Sequence, residues 1–385
     1  PDGVHALPVE LLARIFILGA GYDYVYAESP FLLRPDEEHC SVSTSDFQLL
    51  VSHVCRHWRQ VALRVSCLWT SLHFREPAHI PRAQAFLSRC SASAPHLLDI
   101  LVDTVSLEDH IPGVTLCRDE MRVIFDLICP QVKRWRSFHL KVRENECKLI
   151  AREHLSTCGP APNLETLQLY HFEDYRTSQN LYFATYRTPV MIFDNVLPRL
   201  KNVSLIGVNL PWAHSPYLLG LRCLELALHP DSIRPPYEYW DTMLRRSPHL
   251  QRLLLHYSGP RVAGAGSAWP SARDRIRIAS LEELSLTDLD PDHLCLLLQH
   301  LELPGLQKLS LDLPDQDFTA VVDLIAGGAS GAPPVPALAR LQVLRVTALE
   351  CSPASWRALV RALTGLRTLE VDFTRVGDAF ADVLL

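Results

Sequence analysis

The apolar positions of this 385-residue chain change period along its length. Up to residue 75 they recur at three- and four-residue steps, the spacing of one helix face. Leu7-Pro8-Val9-Glu10-Leu11-Leu12-Ala13-Arg14-Ile15-Phe16 predicts a short helix with proline in its first turn. Leu11, Leu12, Ile15 and Phe16 are apolar at i, i+1, i+4 and i+5, so this helix needs more than one neighbour. Ser45-Asp46-Phe47-Gln48 forms a capping box. It opens a second helix whose expected buried stripe is Val51, Val54, Cys55, Trp58, Val61, Ala62 and Val65. His53 and His57 lie four apart on the other side, so Cys55 cannot join them around one metal. Leu68 and Trp69 follow, and Ser71–Phe74 predicts a strand.

Beyond residue 75 the pattern becomes a recurring L-x-x-L-x-L. It starts at Leu164, Leu200, Leu221, Leu250, Leu281, Leu306, Leu341 and Leu366, with earlier and weaker members at 134–142 and 96–103. Helical patterns fill the gaps. In Ser352–Gly365, Ser352 is the expected N-cap, Pro353 the first turn, and Trp356, Leu359, Val360 and Leu363 the buried face. Asp290–Leu301 repeats the design with Leu294, Leu297, Leu298 and Leu301. One strand–helix unit cannot bury its own leucines, but stacked units can. The array resembles leucine-rich repeats of an irregular kind. The asparagine that regular repeats carry three residues after the third leucine is replaced by Phe172, Val208, His229, Ser258, Leu289, Pro314, Leu349 and Thr374. The expectation is therefore an α/β chain with no asparagine ladder and uneven curvature. Segments 258–275 and 326–337, rich in Gly, Pro and small residues, are expected to be loops.

The N-terminal blocks carry a second resemblance. Leu7, Pro8, Glu10, Leu11, Leu12, Ile15 and Phe16, then Val54, Cys55, Arg56 and Trp58, then Leu68 and Trp69 stand in the order of an F-box, in the F-box-like form common in fungal proteins. Such helices also make ordinary cores; the ordered triple of blocks is what points beyond that. One departure is segment 19–44, longer than the usual link between the first two blocks. The resemblance implies a helical segment, residues 1–75, that docks on the Skp-family adaptor of a cullin–RING ubiquitin ligase. The expected adaptor contacts are Leu7, Pro8, Glu10, Leu11, Leu12, Ile15, Phe16, Trp58 and Trp69. The solenoid, residues 76–385, would hold an unknown protein target. The alternative is a repeat scaffold whose N-terminal helices only cap the array. The two differ in whether Leu7, Leu11 and Ile15 are exposed.

In a strand the residues between inward leucines face the other side of the sheet. That expected target-binding row is Gln168, Tyr170, Arg252, His256, Glu283, Lys308, Asp312, Arg345, Glu370 and Asp372. It is mixed in sign and suits a protein partner. The net charge of −6 is mild and no basic stripe occurs, which argues against nucleic acid. The longest uncharged run, Leu324–Ala339, is broken by glycines and prolines and cannot be a membrane span. Eleven scattered cysteines without a CxxC pair imply a reducing compartment, cytoplasm or nucleus. The sequon Asn202-Val203-Ser204 falls inside an expected strand. Gly264–Trp269 fails the dinucleotide fingerprint because Trp269 occupies the last glycine position, and no Walker loop or H-E-x-x-H occurs. No catalytic residue, metal or cofactor is expected.

Overall fold

A computed structural model describes residues 7–20, 47–90, 96–171, 189–261, 269, 274–327, 340–372, 376 and 380. The chain is mixed α/β and divides into two units, Pro1–Leu200 and Lys201–Leu385. The expected capping residues Ser45 and Asp46, most of segment 19–44, Phe172, Thr374 and most of the two expected loops lie outside the described residues.

The first unit opens with helices α1 (Val9–Ala20), α2 (Phe47–Val54) and α3 (Arg56–Arg64). Strand β1 (Ser71–Phe74), α4 (His79–Cys90), β2 (Leu98–Asp103), α5 (Arg118–Ile128), β3 (Trp135–Val142), α6 (Asn145–Thr157) and β4 (Thr166–His171) follow. The four strands pair in parallel in chain order, and β1 joins the helical segment to the sheet directly. Leu72, Ile100, Phe138 and Leu167 form one register row of the core; Phe74, Val102, Leu140 and Leu169 form the next.

The helix expected from Ser45 to Val65 is two helices. Cys55 stands between them in an extended conformation (φ −159°, ψ 171°), and its sulfur accepts the Trp58 N–H at 3.4 Å. Cys55 is therefore an N-cap and not part of a buried stripe. The break turns Val54 outward, 59% exposed, while Val51, Val61 and Ala62 stay inside.

Two tryptophans pin strands to the helices before them. Trp69 Nε1–H donates to the Ala62 carbonyl (3.0 Å), and Trp135 Nε1–H to the Ile128 carbonyl (3.2 Å). Each bond reaches seven residues back, into the last turn of a helix, where the final carbonyls lack intrahelical partners. Both rings are fully buried.

The second unit contains β5 (Asn202–Ile206), β6 (Cys223–Ala227), α7 (Tyr237–Arg245), β7 (Arg252–His256), β8 (Ile276–Arg277), β9 (Glu283–Thr287), α8 (Pro291–Gln299), β10 (Leu301–Glu302), β11 (Lys308–Asp317), α9 (Thr319–Ala326), β12 (Val343–Glu350), α10 (Pro353–Ala362) and β13 (Thr368–Val371). Strands β5, β6, β7, β9, β11, β12 and β13 pair in parallel in that order, each beginning two residues after the first leucine of its motif. The two-residue strands β8 and β10 form a separate pair that the leucine pattern does not announce. Val203, Leu224, Leu253, Leu284, Leu309 and Leu344 are one buried register row; Leu369 continues it on β13 and is 37% exposed. Asp290 and Ser352 cap α8 and α10 as expected, Asp290 Oδ1 accepting the N–H groups of Asp292 and His293. Val360, expected on the buried face of α10, is exposed.

Both ends of these strands are tied by a repeating backbone pattern. At the N-terminal end the carbonyl after each first leucine accepts two N–H groups from the next repeat. Gln251 O takes Glu282 and Glu283, Glu282 O takes Gln307 and Lys308, Gln307 O takes Gln342 and Val343, and Gln342 O takes Arg367 and Thr368. At the C-terminal end Gly207, Leu228, Tyr257 and Asp288 hold the same place in four successive repeats, all with left-handed φ between 45° and 63°. Three of the four are not glycine, a strained conformation kept because each N–H reaches a carbonyl of the next strand, that of Ala227, His256, Thr287 or Asp312, at 2.8–3.0 Å. One residue further on, where regular repeats place asparagine, the fully buried His229 bridges three repeats. Its Nδ1 lies 2.8 Å from Ser258 Oγ and its Nε2 3.1 Å from the Val208 carbonyl. No asparagine is present, yet a short side-chain ladder forms.

Candidate functional site

Helix α1 carries two apolar stripes. Leu12, Phe16 and Ala20, at i, i+4 and i+8, are buried as α1 packs on α2, α3 and the 3-10 turn Ser66–Trp69. The Phe16 ring meets Trp58 with centroids 5.1 Å apart. Gly19 lies against Phe47 of α2 so closely that a Cβ there would stand 2.2 Å from the ring. Leu11, Ile15 and Leu18, at i, i+4 and i+7, form the second stripe and are 53%, 48% and 65% exposed. Leu7 is half-buried; Pro8, Val9 and Glu10 are exposed.

The expected adaptor contacts therefore separate. Leu7, Pro8, Glu10, Leu11 and Ile15 are accessible, and Trp58 is half-buried. Leu12, Phe16 and Trp69 are fully buried and cannot touch a partner in this fold. Their apolar surface is what holds the three helices together. Trp69 packs edge-on to Phe86 (5.0 Å) under the Arg89 guanidinium, 4.3 Å from its ring. Leu18 extends the outer stripe and was legible as the i+7 partner of Leu11. Leu50 and Val54, exposed at i and i+4 on α2, were not, because the helix break sets their direction.

The polar side of the sheet differs between the units. In the first unit every residue of β1, β2 and β4 is buried, so these strands are covered on both faces. Gln168 and Tyr170, expected on an open face, are 0% and 2% exposed. Gln168 Oε1 lies 3.0 Å from His139 Nδ1, and the Lys141 ammonium lies 5.0 Å from the centre of the Tyr170 ring. Asp99 accepts from Arg136 and Ser137 in the row beside them. In the second unit β7 and β9 alternate buried and half-buried, and the expected residues line a half-open face. Arg252, Glu283 and Lys308 form an ion triad at 2.7 and 2.9 Å, and Arg345 pairs with Glu370 at 2.6 Å. The triad holds the Glu283 carboxyl below its ordinary range despite burial, the largest influence, which pushes it up. His256, Asp312 and Asp372 are half-buried on or beside the same strands. The face is internally neutralised, a poor match for a polyanion.

His53 is exposed on α2 and His57 half-buried on α3. Among the described residues no group of three or more His, Cys, Asp or Glu side chains is arranged to hold a metal, and no helix is long and apolar enough to cross a membrane. The ten described cysteines are all thiols. Burial pushes Cys223 up to about 12, far from thiolate character at neutral pH. No family model matches the chain, and no curated protein matches it either.

Proposed function

We propose that the chain is a non-catalytic substrate receptor of an SCF-type cullin–RING ubiquitin ligase. The outer stripe of α1 docks on a Skp-family adaptor, and the half-open face of the second unit, read as part of an irregular leucine-rich-repeat solenoid, holds a target protein. Rate enhancement then comes from bringing the target close to the ubiquitin-loaded enzyme. The observation that carries this reading is the direction of Leu11 and Ile15. They belong to the F-box-like block, yet the fold leaves them about half exposed instead of using them as core. Leu12, Phe16 and Trp69 take the complementary role of fixing the three helices. The reading also requires the reducing compartment, cytoplasm or nucleus, that the scattered cysteines point to.

The alternative, a repeat scaffold capped by its N-terminal helices, is less well supported, because a cap presents a polar outer face. Co-expression with a Skp-family adaptor followed by size exclusion distinguishes them. A stoichiometric complex that is lost in Leu11→Asp plus Ile15→Asp supports the receptor reading. Absence of a complex with the intact folded chain overturns it.

A further inference from the structure

Two rows of residues cross the N-terminal ends of β9, β11, β12 and β13 in the second unit. The residue before each first leucine is Ser280, Gly305, Arg340 and Gly365; the residue after it is Glu282, Gln307, Gln342 and Arg367. These eight and Ala279 line a depression of about 450 Å³, the size of a small-ligand site. Gly305 and Gly365 create it, since they stand on either side of Arg340 without side chains. Gly305 has no room for one, as a Cβ would lie 2.4 Å from the Ala279 carbonyl oxygen. The Ser280 hydroxyl is engaged with the Leu250 carbonyl (2.8 Å), and the backbone along the floor is consumed by the two-fold carbonyl ladder.

The remaining polar groups point to a ligand. Arg340 and Arg367 are exposed, and among the described residues neither has a carboxylate partner. Arg245, Arg252 and Arg345 of the same unit each have one. The side-chain amides of Gln307 and Gln342 are likewise without hydrogen bonds among the described residues. Glu282 lines the far end, two strand spacings or roughly 10 Å from Arg340, too distant to neutralise it at close range.

We propose that this depression binds a peptide segment bearing a single oxyanion, either a carboxylate or a phosphate ester. Arg340 and Arg367 take the anionic oxygens, as paired guanidinium groups do. The amides of Gln307 and Gln342 hydrogen-bond the peptide groups beside it. Glu282 repels a second negative charge and favours a cationic or neutral neighbour. The site lies across the N-terminal ends of these strands and does not depend on the partner of α1.

Titrating the full chain with a capped glutamyl peptide, and separately with its phosphoseryl counterpart, tests this by saturation-transfer NMR. Saturable binding of at least one probe is expected, and the preferred probe identifies the source of the oxyanion. Arg340→Gln and Arg367→Gln should each weaken binding by about tenfold, and the double variant should abolish it. Arg361→Gln, on the exposed side of α10, should change nothing. Gln307→Ala with Gln342→Ala should weaken binding without altering charge, an independent measure if the arginine variants fold poorly. No binding of either probe at millimolar concentration, or full binding by the double arginine variant, overturns the proposal.

Discussion

His229 Nδ1 and Ser258 Oγ, from adjacent repeats, meet at 2.8 Å with both residues fully buried. A hydrogen bond in such a place contributes only modestly while intact, but its loss leaves a buried group unpaired. Ser258→Ala should therefore lower unfolding free energy by about 1–3 kcal/mol, and His229→Ala by more because it adds a cavity. Urea denaturation would show this as an earlier midpoint. An unchanged midpoint in both variants would mean that the ladder contributes nothing.

Acid should destabilise the chain well before its carboxylates protonate. Burial holds His139 and His229 down at about 4; burial, with help from Arg82 and other cations, holds His73 at about 3; burial and Arg234 hold His293 at about 4. The unfolded chain takes up these protons near pH 6.5, whereas the native chain does not. Stability is thus fully present above pH 6.5 and falls as pH drops towards 4, by up to about 1.4 kcal/mol per pH unit for each such histidine. Urea midpoints measured from pH 7.5 to pH 4.5 should decline steadily. Constancy down to pH 5 would contradict the buried, neutral assignment.

The two stripes of α1 make opposite predictions. Leu12→Ala or Phe16→Ala should cost about 2–5 kcal/mol, since both side chains are fully enclosed. Leu11→Ala or Ile15→Ala should stay within about 0.5 kcal/mol. Thermal melts of the four variants would reveal any reversal of this order.

Trp69→Phe and Trp135→Phe test the two indole anchors. Each removes an N–H that reaches the Ala62 or Ile128 carbonyl; the Ala62 carbonyl keeps the Val65 N–H at 3.2 Å, so the cost there should be about 0.5–1.5 kcal/mol, that of one hydrogen bond, and up to about 1–3 kcal/mol at Ile128. The loss should be no larger for Trp69→Phe than for Trp135→Phe, and differential scanning calorimetry can compare them.

Gly305→Ala should be harmful although the site is on the surface. The new Cβ meets a backbone carbonyl at 2.4 Å, and a backbone atom cannot swing aside as a side chain can. A loss of more than about 1 kcal/mol is expected, against almost none for Gly113→Ala in space alone, where only the left-handed φ of 79° opposes the change.

Leucine spacing made the strands legible. All ten segments from residue 96 onward that carry the pattern are strands, because one buried face with period two leaves few other solutions. The burial of Gln168 and Tyr170 was not legible, since alternation marks only which side a residue takes and not what lies over that side. The helix break at Cys55 was hidden for a similar reason. Cysteine is a small apolar residue in a periodic count, and its use as a cap depends on the Trp58 N–H that it happens to meet. In the N-terminal block the motif named the right helix but mixed two jobs. Leu11 and Leu12 are adjacent in sequence and face opposite ways in use, one outward and one into the core.

The doubled carbonyl bonds at the strand N-termini make each repeat of the second unit the template for the next, from Lys201 to Thr368. Neighbours, and not the molecule at large, hold each strand's first amides in place. A pulling force applied through β13 would meet these bonds a pair at a time, and among the described strands β13, whose side chains are the most exposed of the row, would leave first. The second unit should therefore lengthen in steps of one strand and its connection and rewind in the reverse order, behaving under load as a ratcheted tape and not as a single breaking knot.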